Sequence, residues 1–174
     1  AIGTIETSKL EKVVLARAVD IEFPEAIDPR LVAARLIDLS ANRDGFIADL
    51  SPAGRPGAML VGSSPEVLVK RQGSTVSAFP LAGSSPRRAL AAEDHLAGQD
   101  LLHSSKDLHE HAFVVDHLRR ALTPLCERLD IPDVPQLIST NEMWHLGTPI
   151  SGTLKDKDLT ALELALAVHP TPAI

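Results

Sequence analysis

Three ionisable residues have neighbours that could turn them to proton or cation chemistry: Lys12, Glu66 and Glu110. Glu66 follows Ser63-Ser64-Pro65 and precedes the apolar run Val67-Leu68-Val69. A carboxylate at such a turn is held near backbone N–H groups and beside a low-dielectric core, so its protonation can be tuned for acid or base work. Lys12 opens KVVLARAVDIEF. If that stretch is a strand, Lys12 shares a face with Val14, Ala16 and Ala18, and an ammonium over small apolar residues loses its proton more readily. Glu110 lies between His109 and His111 in SSKDLHEHAFVVDH, with Asp107 one helical turn earlier. A hard cation such as Mg²⁺ takes one or two protein carboxylates together with water and substrate oxygens, and a helix-borne glutamate can supply one of them. Zinc fits less well, because HEH does not have the HExxH spacing that puts two imidazoles on one helix face. Each feature also has an ordinary reading: a solvated glutamate at a hairpin end, a lysine snorkelling to water, a polar helix face with surface histidines. His145 stands beside the single tryptophan, Trp144, and either binds a ligand or is a satisfied polar group. Residue types alone leave these alternatives open.

The elements that must position these groups are readable in outline. Lys12–Phe23 alternates at period two and is expected to be a strand. Asp28-Pro29 is a helix start with Leu31, Ala34 and Ile37 as its buried stripe. Residues 45–50 and 58–62 read as strands around the turn-rich SPAGRPG, and residues 45–83 together as a β-meander. Helices are expected over residues 89–103 and 106–129, the second placing Cys126 among Leu122, Leu125 and Leu129. After Pro132 and Pro135 come a β-like run at 136–139, Met143-Trp144-His145-Leu146 and a turn-rich GTPISGT. Asp158 then caps a helix over 159–168, and HPTPAI turns toward another element. The expected class is α+β, with antiparallel sheets packed by helices.

Composition narrows the function. The chain has 174 residues, 44% of them hydrophobic, which suits one globular domain or a large piece of one. Its 17 basic and 23 acidic residues give a net charge of -6, which disfavours a broad nucleic-acid or anionic-membrane surface. A single cysteine excludes an intrachain disulfide. The start lacks the regions of a signal peptide and no apolar run approaches a membrane span, so the expectation is a cytoplasmic protein.

Laid in order, several segments resemble the chorismate-utilising enzymes, and among them the isochorismate synthases: EKVVLAR (11–17), GSSPEVLVKR (62–71), FPLAGSSPRR (79–88), SSKDLHEH (104–111), PQLISTNEMWHLGTPISG (135–152) and HPTPAI (169–174). Several long motifs in one order are far more specific than any single match. The leucine of PLAGS and Ala173 of HPTPA look like isochorismate synthase rather than the aminating anthranilate and aminodeoxychorismate synthases, and salicylate synthases are the nearest alternative.

The resemblance implies a hydroxyl exchange on chorismate, feeding siderophore or menaquinone biosynthesis. In it Lys12 matches the general base that activates water, and Glu66 the general acid that protonates the departing hydroxyl. Glu110 matches a Mg²⁺ ligand, Gly83 a backbone approach to substrate, His145 a histidine near the ring, and Ala173 a position governing access of water. It also implies that residues 1–174 are the central part of a single catalytic domain, an incomplete α/β sandwich whose N-terminal and C-terminal family segments are absent. Those segments, or a complementary chain, would then be partners. Ser105 departs from an acidic residue common in close relatives. A non-catalytic remnant that keeps the fold is the reading from another class.

Overall fold

The structure, a computed structural model, describes residues 2–10, 12–40 and 42–173. In chain order the elements are α1 (Ile2–Thr7), α2 (Pro29–Leu39), β1 (Phe46–Asp49), β2 (Met59–Gly62), β3 (Lys70–Gln72), β4 (Thr75–Ala78) and β5 (Leu81–Pro86). There follow α3 (Ala91–His103), α4 (Ser105–Leu122), β6 (Cys126–Asp130), β7 (Gln136–Ser139), β8 (Met143–Gly147), β9 (Ile150–Leu154) and α5 (Ala161–Val168). They fall into two compact units, Arg17–Pro65 and the combination of Ala1–Ala16 with Glu66–Ile174.

In the unit Arg17–Pro65, Asp28 caps α2 as expected, its carboxylate accepting the Arg30 N–H at 2.9 Å, and Pro29 occupies the first turn where no N–H is needed. The predicted hairpin forms, with β1 and β2 antiparallel from Phe46↔Gly62 to Asp49↔Met59. The predicted stripe of α2 does not: Ala33 is its one buried residue and Leu31 is 68% exposed. The larger departure is residues 12–23, which form no strand. Alternation is a property of side chains, whereas a strand needs a neighbouring backbone. Without a ladder, Val13, Leu15, Val19, Ile21 and Phe23 remain exposed.

The other unit holds two antiparallel sheets, ordered β3-β4-β9-β6 and β5-β8-β7. Residues 45–83 are therefore not one meander, since β1–β2, β3–β4 and β5 belong to three different sheets. The stretch GTPISGT, read as turns, instead supplies β9 at the centre of the four-stranded sheet. Gly152 permits that: a Cβ there would lie 2.9 Å from both the Arg128 carbonyl and the Cys126 sulfur. The second long helix stops at Leu122 rather than 129. Pro124 has no N–H to continue the ladder, a single 3₁₀ turn follows, and Cys126 is the buried first residue of β6. The last helix is capped by Thr160, not Asp158, in a capping box with Glu163.

α4 organises the interior. His111, Val114, Val115, Leu118 and Leu122 recur at helical spacing and are buried, and Val114, Leu118 and Leu122 pack with Val76, Ile150, Leu154, Leu164 and Val168. A second anchor lies between α3 and β8. Arg87 grips Asp94 through Nε at 3.0 Å and Nη2 at 2.6 Å, and its guanidinium sits 4.5 Å over the Trp144 ring. The Trp144 and Arg88 N–H groups donate to the same carboxylate at 3.0 and 2.8 Å. These donors, Arg87 foremost, hold Asp94 well below the usual carboxylate range.

Leu118→Ala is expected to cost about 2–5 kcal/mol in urea unfolding, as large-to-small changes in packed cores do. Because its pKa is depressed, Asp94 contributes stability that is full above the ordinary carboxylate range and lost as pH falls through its lowered value. Asp94→Asn should therefore lower Tm at neutral pH, with the gap to the parent chain narrowing below about pH 4. A gap that stays constant into acid would exclude the ion pair as its source.

Candidate active site

Lys12, Glu66 and Glu110, the candidate base, acid and helix carboxylate, all belong to the larger unit. Glu110 projects from α4, whose first turn is set by Ser104 accepting the Asp107 N–H at 3.3 Å. Lys12 reaches it from a segment without regular structure. Its Nζ lies 3.7 Å from Glu110 Oε1 and donates to the Pro172 carbonyl at 2.6 Å, leaving the lysine side chain 15% exposed. The Lys106 ammonium lies 3.6 Å from the other oxygen, Oε2, and 2.9 Å from Asp107 Oδ1. Residues remote in sequence thus meet at one carboxylate, and the neighbour of Ala173 supplies the carbonyl that fixes Lys12.

Glu66 comes from the irregular stretch between β2 and β3, so neither it nor Lys12 enters from a strand. Its Oε1 accepts the Leu81 N–H of β5 at 3.1 Å. Partial burial pushes its carboxyl above the usual range, and the Leu81 N–H opposes that shift less strongly. A carboxyl whose acid form is favoured in this way can donate its proton.

Two residues along β5, the ladder to β8 slips: Leu81 pairs with Gly147 but Ser84 pairs with His145, so β5 carries one extra residue. Gly83 sits in this bulge at φ +82°, where a Cβ would lie 3.1 Å from Asp107 Cβ and 3.2 Å from the Asp107 carbonyl of α4. Only glycine allows that backbone conformation and that approach together. Immediately after it, Ser84 Oγ lies 2.8 Å from His145 Nδ1. Burial pushes the His145 imidazole below its usual value, so it is neutral at pH 7. A polar recess of about 490 Å³ opens beside Ser84, Arg88, Asp100 and Asp107, and neither Lys12 nor Glu66 lines it.

His111 was read from sequence only as part of a polar helix face, and the structure corrects that. It is 2% exposed, with Nδ1 3.0 Å from the Ala82 carbonyl and Nε2 2.7 Å from Thr148 Oγ1. The available signal was its spacing from Val115, Leu118 and Leu122, which puts it on the buried stripe of α4. Among the described residues, no three His, Cys, Asp or Glu side chains converge as a metal cluster. No helix among them is long and apolar enough to cross a membrane. The described groups comprise a carboxyl raised by burial, a lysine held against a second carboxylate, and an imidazole tied to the serine after the Gly83 bulge.

Comparison with known proteins agrees over the whole length. Residues 1–174 match the family described as chorismate binding enzyme. The chain is 48% identical over 167 residues to MenF of Mycobacterium tuberculosis, covering 95% of this chain and 45% of that protein. It is 43% identical over 175 residues to isochorismate synthase DhbC of Bacillus subtilis, covering 99% and 44%. The crystal structure of DhbC from Bacillus anthracis superposes with a TM-score of 0.76 at 41% identity, over 85% of this chain and 39% of that one. The chain therefore spans less than half the length of the relatives it matches. The mixture of helices and antiparallel sheets expected from sequence is the arrangement these structures share, and the chain belongs to the chorismate-binding enzyme family.

Proposed function

We propose that residues 1–174 are the central part of a single catalytic domain of an isochorismate synthase, carrying its acid and its base. The observation that carries the reading is the meeting of Lys12 with Glu110: the candidate base reaches the candidate ion-binding carboxylate although the two are far apart in sequence. In the proposed reaction Lys12 takes a proton from water as the water oxygen bonds to C2 of chorismate. Both ring double bonds shift, C1=C2 to C1=C6 and C5=C6 to C4=C5, the C4–oxygen bond breaks, and Glu66 gives its proton to the departing hydroxyl. One water enters and one leaves, so the product is an isomer. To act, Lys12 must first shed the proton it carries beside Glu110 and turn from the Pro172 carbonyl toward water, while Glu66 already has the burial that favours its acid form. His145, neutral and tied to Ser84, would lie near the ring, and Gly83 would present backbone to the substrate. Ala173, next to the carbonyl that holds Lys12, would govern entry of water.

Mg²⁺ fits this chain in part. Glu110 would hold it, and its two oxygens already attract the ammonium groups of Lys12 and Lys106, which a divalent cation would have to displace. One protein carboxylate is at the low end of what Mg²⁺ uses, the rest being water, substrate and further ligands outside these residues. When bound, such an ion would neutralise a carboxylate of the dianionic substrate.

The test is chromatographic separation of products after incubation of chorismate and Mg²⁺ with this chain, alone and with the remaining family segments supplied as a second chain. Isochorismate is the expected product, feeding siderophore or menaquinone synthesis, and salicylate with pyruvate would mean a salicylate synthase instead. Lys12→Ala should lower kcat by about 10²–10⁴, the usual contribution of a positioned acid or base. Because the Glu66 carboxyl is raised, turnover should be highest below its pKa and fall as pH rises through it. That limb should disappear in Glu66→Gln, along with most of the rate. Retained turnover in both variants would refute the assignment.

A further inference from the structure

The most deeply buried imidazole of the molecule has no part in the reaction just described, yet it touches the bulge that does. His111 Nδ1 lies 3.0 Å from the Ala82 carbonyl, which can only accept, so Nδ1 must carry a proton whatever the charge of the ring. Thr148 Oγ1, 2.7 Å from Nε2, can donate or accept and so satisfies the other nitrogen in either case. The Ala82–Gly83 peptide is trans, and a trans peptide points its N–H opposite to its C=O. With the carbonyl drawn to His111 on α4, the Gly83 N–H is turned away from that histidine. The bulge sets this peptide apart from the regular register, whose pairs jump from Leu81 to Ser84. The flanking groups are those of the candidate site: Leu81 N–H on Glu66, and Ser84 against His145.

We propose that His111 is a positioning residue: through the Ala82 carbonyl it sets the plane of the Ala82–Gly83 peptide, so that the Gly83 N–H is presented as a fixed donor to an anionic oxygen of the substrate. A preset backbone donor needs no reorganisation when negative charge arrives, which is where such donors gain their effect. The donor role rests on the chorismate reading above; the hydrogen bond that sets the peptide does not.

Two measurements separate them. Nitrogen-15 NMR of the chain should show a proton on His111 Nδ1, and a neutral ring protonated only at Nε2 would overturn the proposal outright. In a chorismate titration the Gly83 amide proton should move downfield and saturate with binding. His111→Asn puts a side-chain N–H where Nδ1 was and should preserve that shift. His111→Gln reaches only the Thr148 side, and should lose the shift and weaken chorismate about ten-fold, the effect of one misplaced hydrogen bond. Thr148→Val removes the Nε2 partner but leaves the Ala82 bond, so it should behave as the parent chain. If Thr148→Val matched His111→Gln, or if Gly83 stayed still while other amides saturated, the histidine would be merely structural and the proposal wrong. Absence of any saturable shift would defeat the chorismate reading and the donor role with it, while the Nδ1 result would still judge the peptide bond to His111.

Discussion

The close contact of α4 with the β5 bulge is the constraint on which the rest of the larger unit depends. A Cβ on Gly83 would crowd both the side chain and the backbone of Asp107, and one turn further along the helix His111 bonds the Ala82 carbonyl. The same helix sends Val114, Leu118 and Leu122 into the core and Glu110 toward Lys12. Core packing and site geometry are thus fixed by one rigid element. A shift of α4 that relieved the glycine would also move the carboxylate and the imidazole.

The electrostatics follow from this placement. Glu110 sits on α4 between two ammonium groups, Lys12 and Lys106. Glu66 is set instead in a partly buried place beside β5. Burial raises its pKa more than the Leu81 N–H lowers it, which favours the acid over the anion. Two carboxyl groups of similar chemistry are therefore given different surroundings by the fold. The Arg87–Asp94–Trp144 cluster serves a different end, tying α3 to β8 beside His145. Its charges satisfy one another rather than a ligand.

Local signals were legible where a single residue enforces the outcome. Asp28-Pro29 started α2, the glycine- and proline-rich turn joined β1 to β2, and the apolar stripe identified α4. Where the outcome needed a partner, the sequence was silent or misleading. The alternating residues 12–23 found no ladder, GTPISGT became a central strand because β4 and β6 flank it, and residues 45–83 divided among three sheets. His111 passed as a surface histidine because the residues that bury it, Ala82 and Thr148, are distant in sequence.

Taken alone, the sequence determined membership of the chorismate-binding enzymes and the identity of the candidate acid, base and carboxylate, because ordered motifs are properties of the linear chain. Only the tertiary structure decided what each group experiences. The contact of Lys12 with Glu110, the raised carboxyl of Glu66 and the orientation of the Gly83 peptide arise from distance, burial and hydrogen bonding between remote segments. Those quantities exist only once α4 has packed against β5.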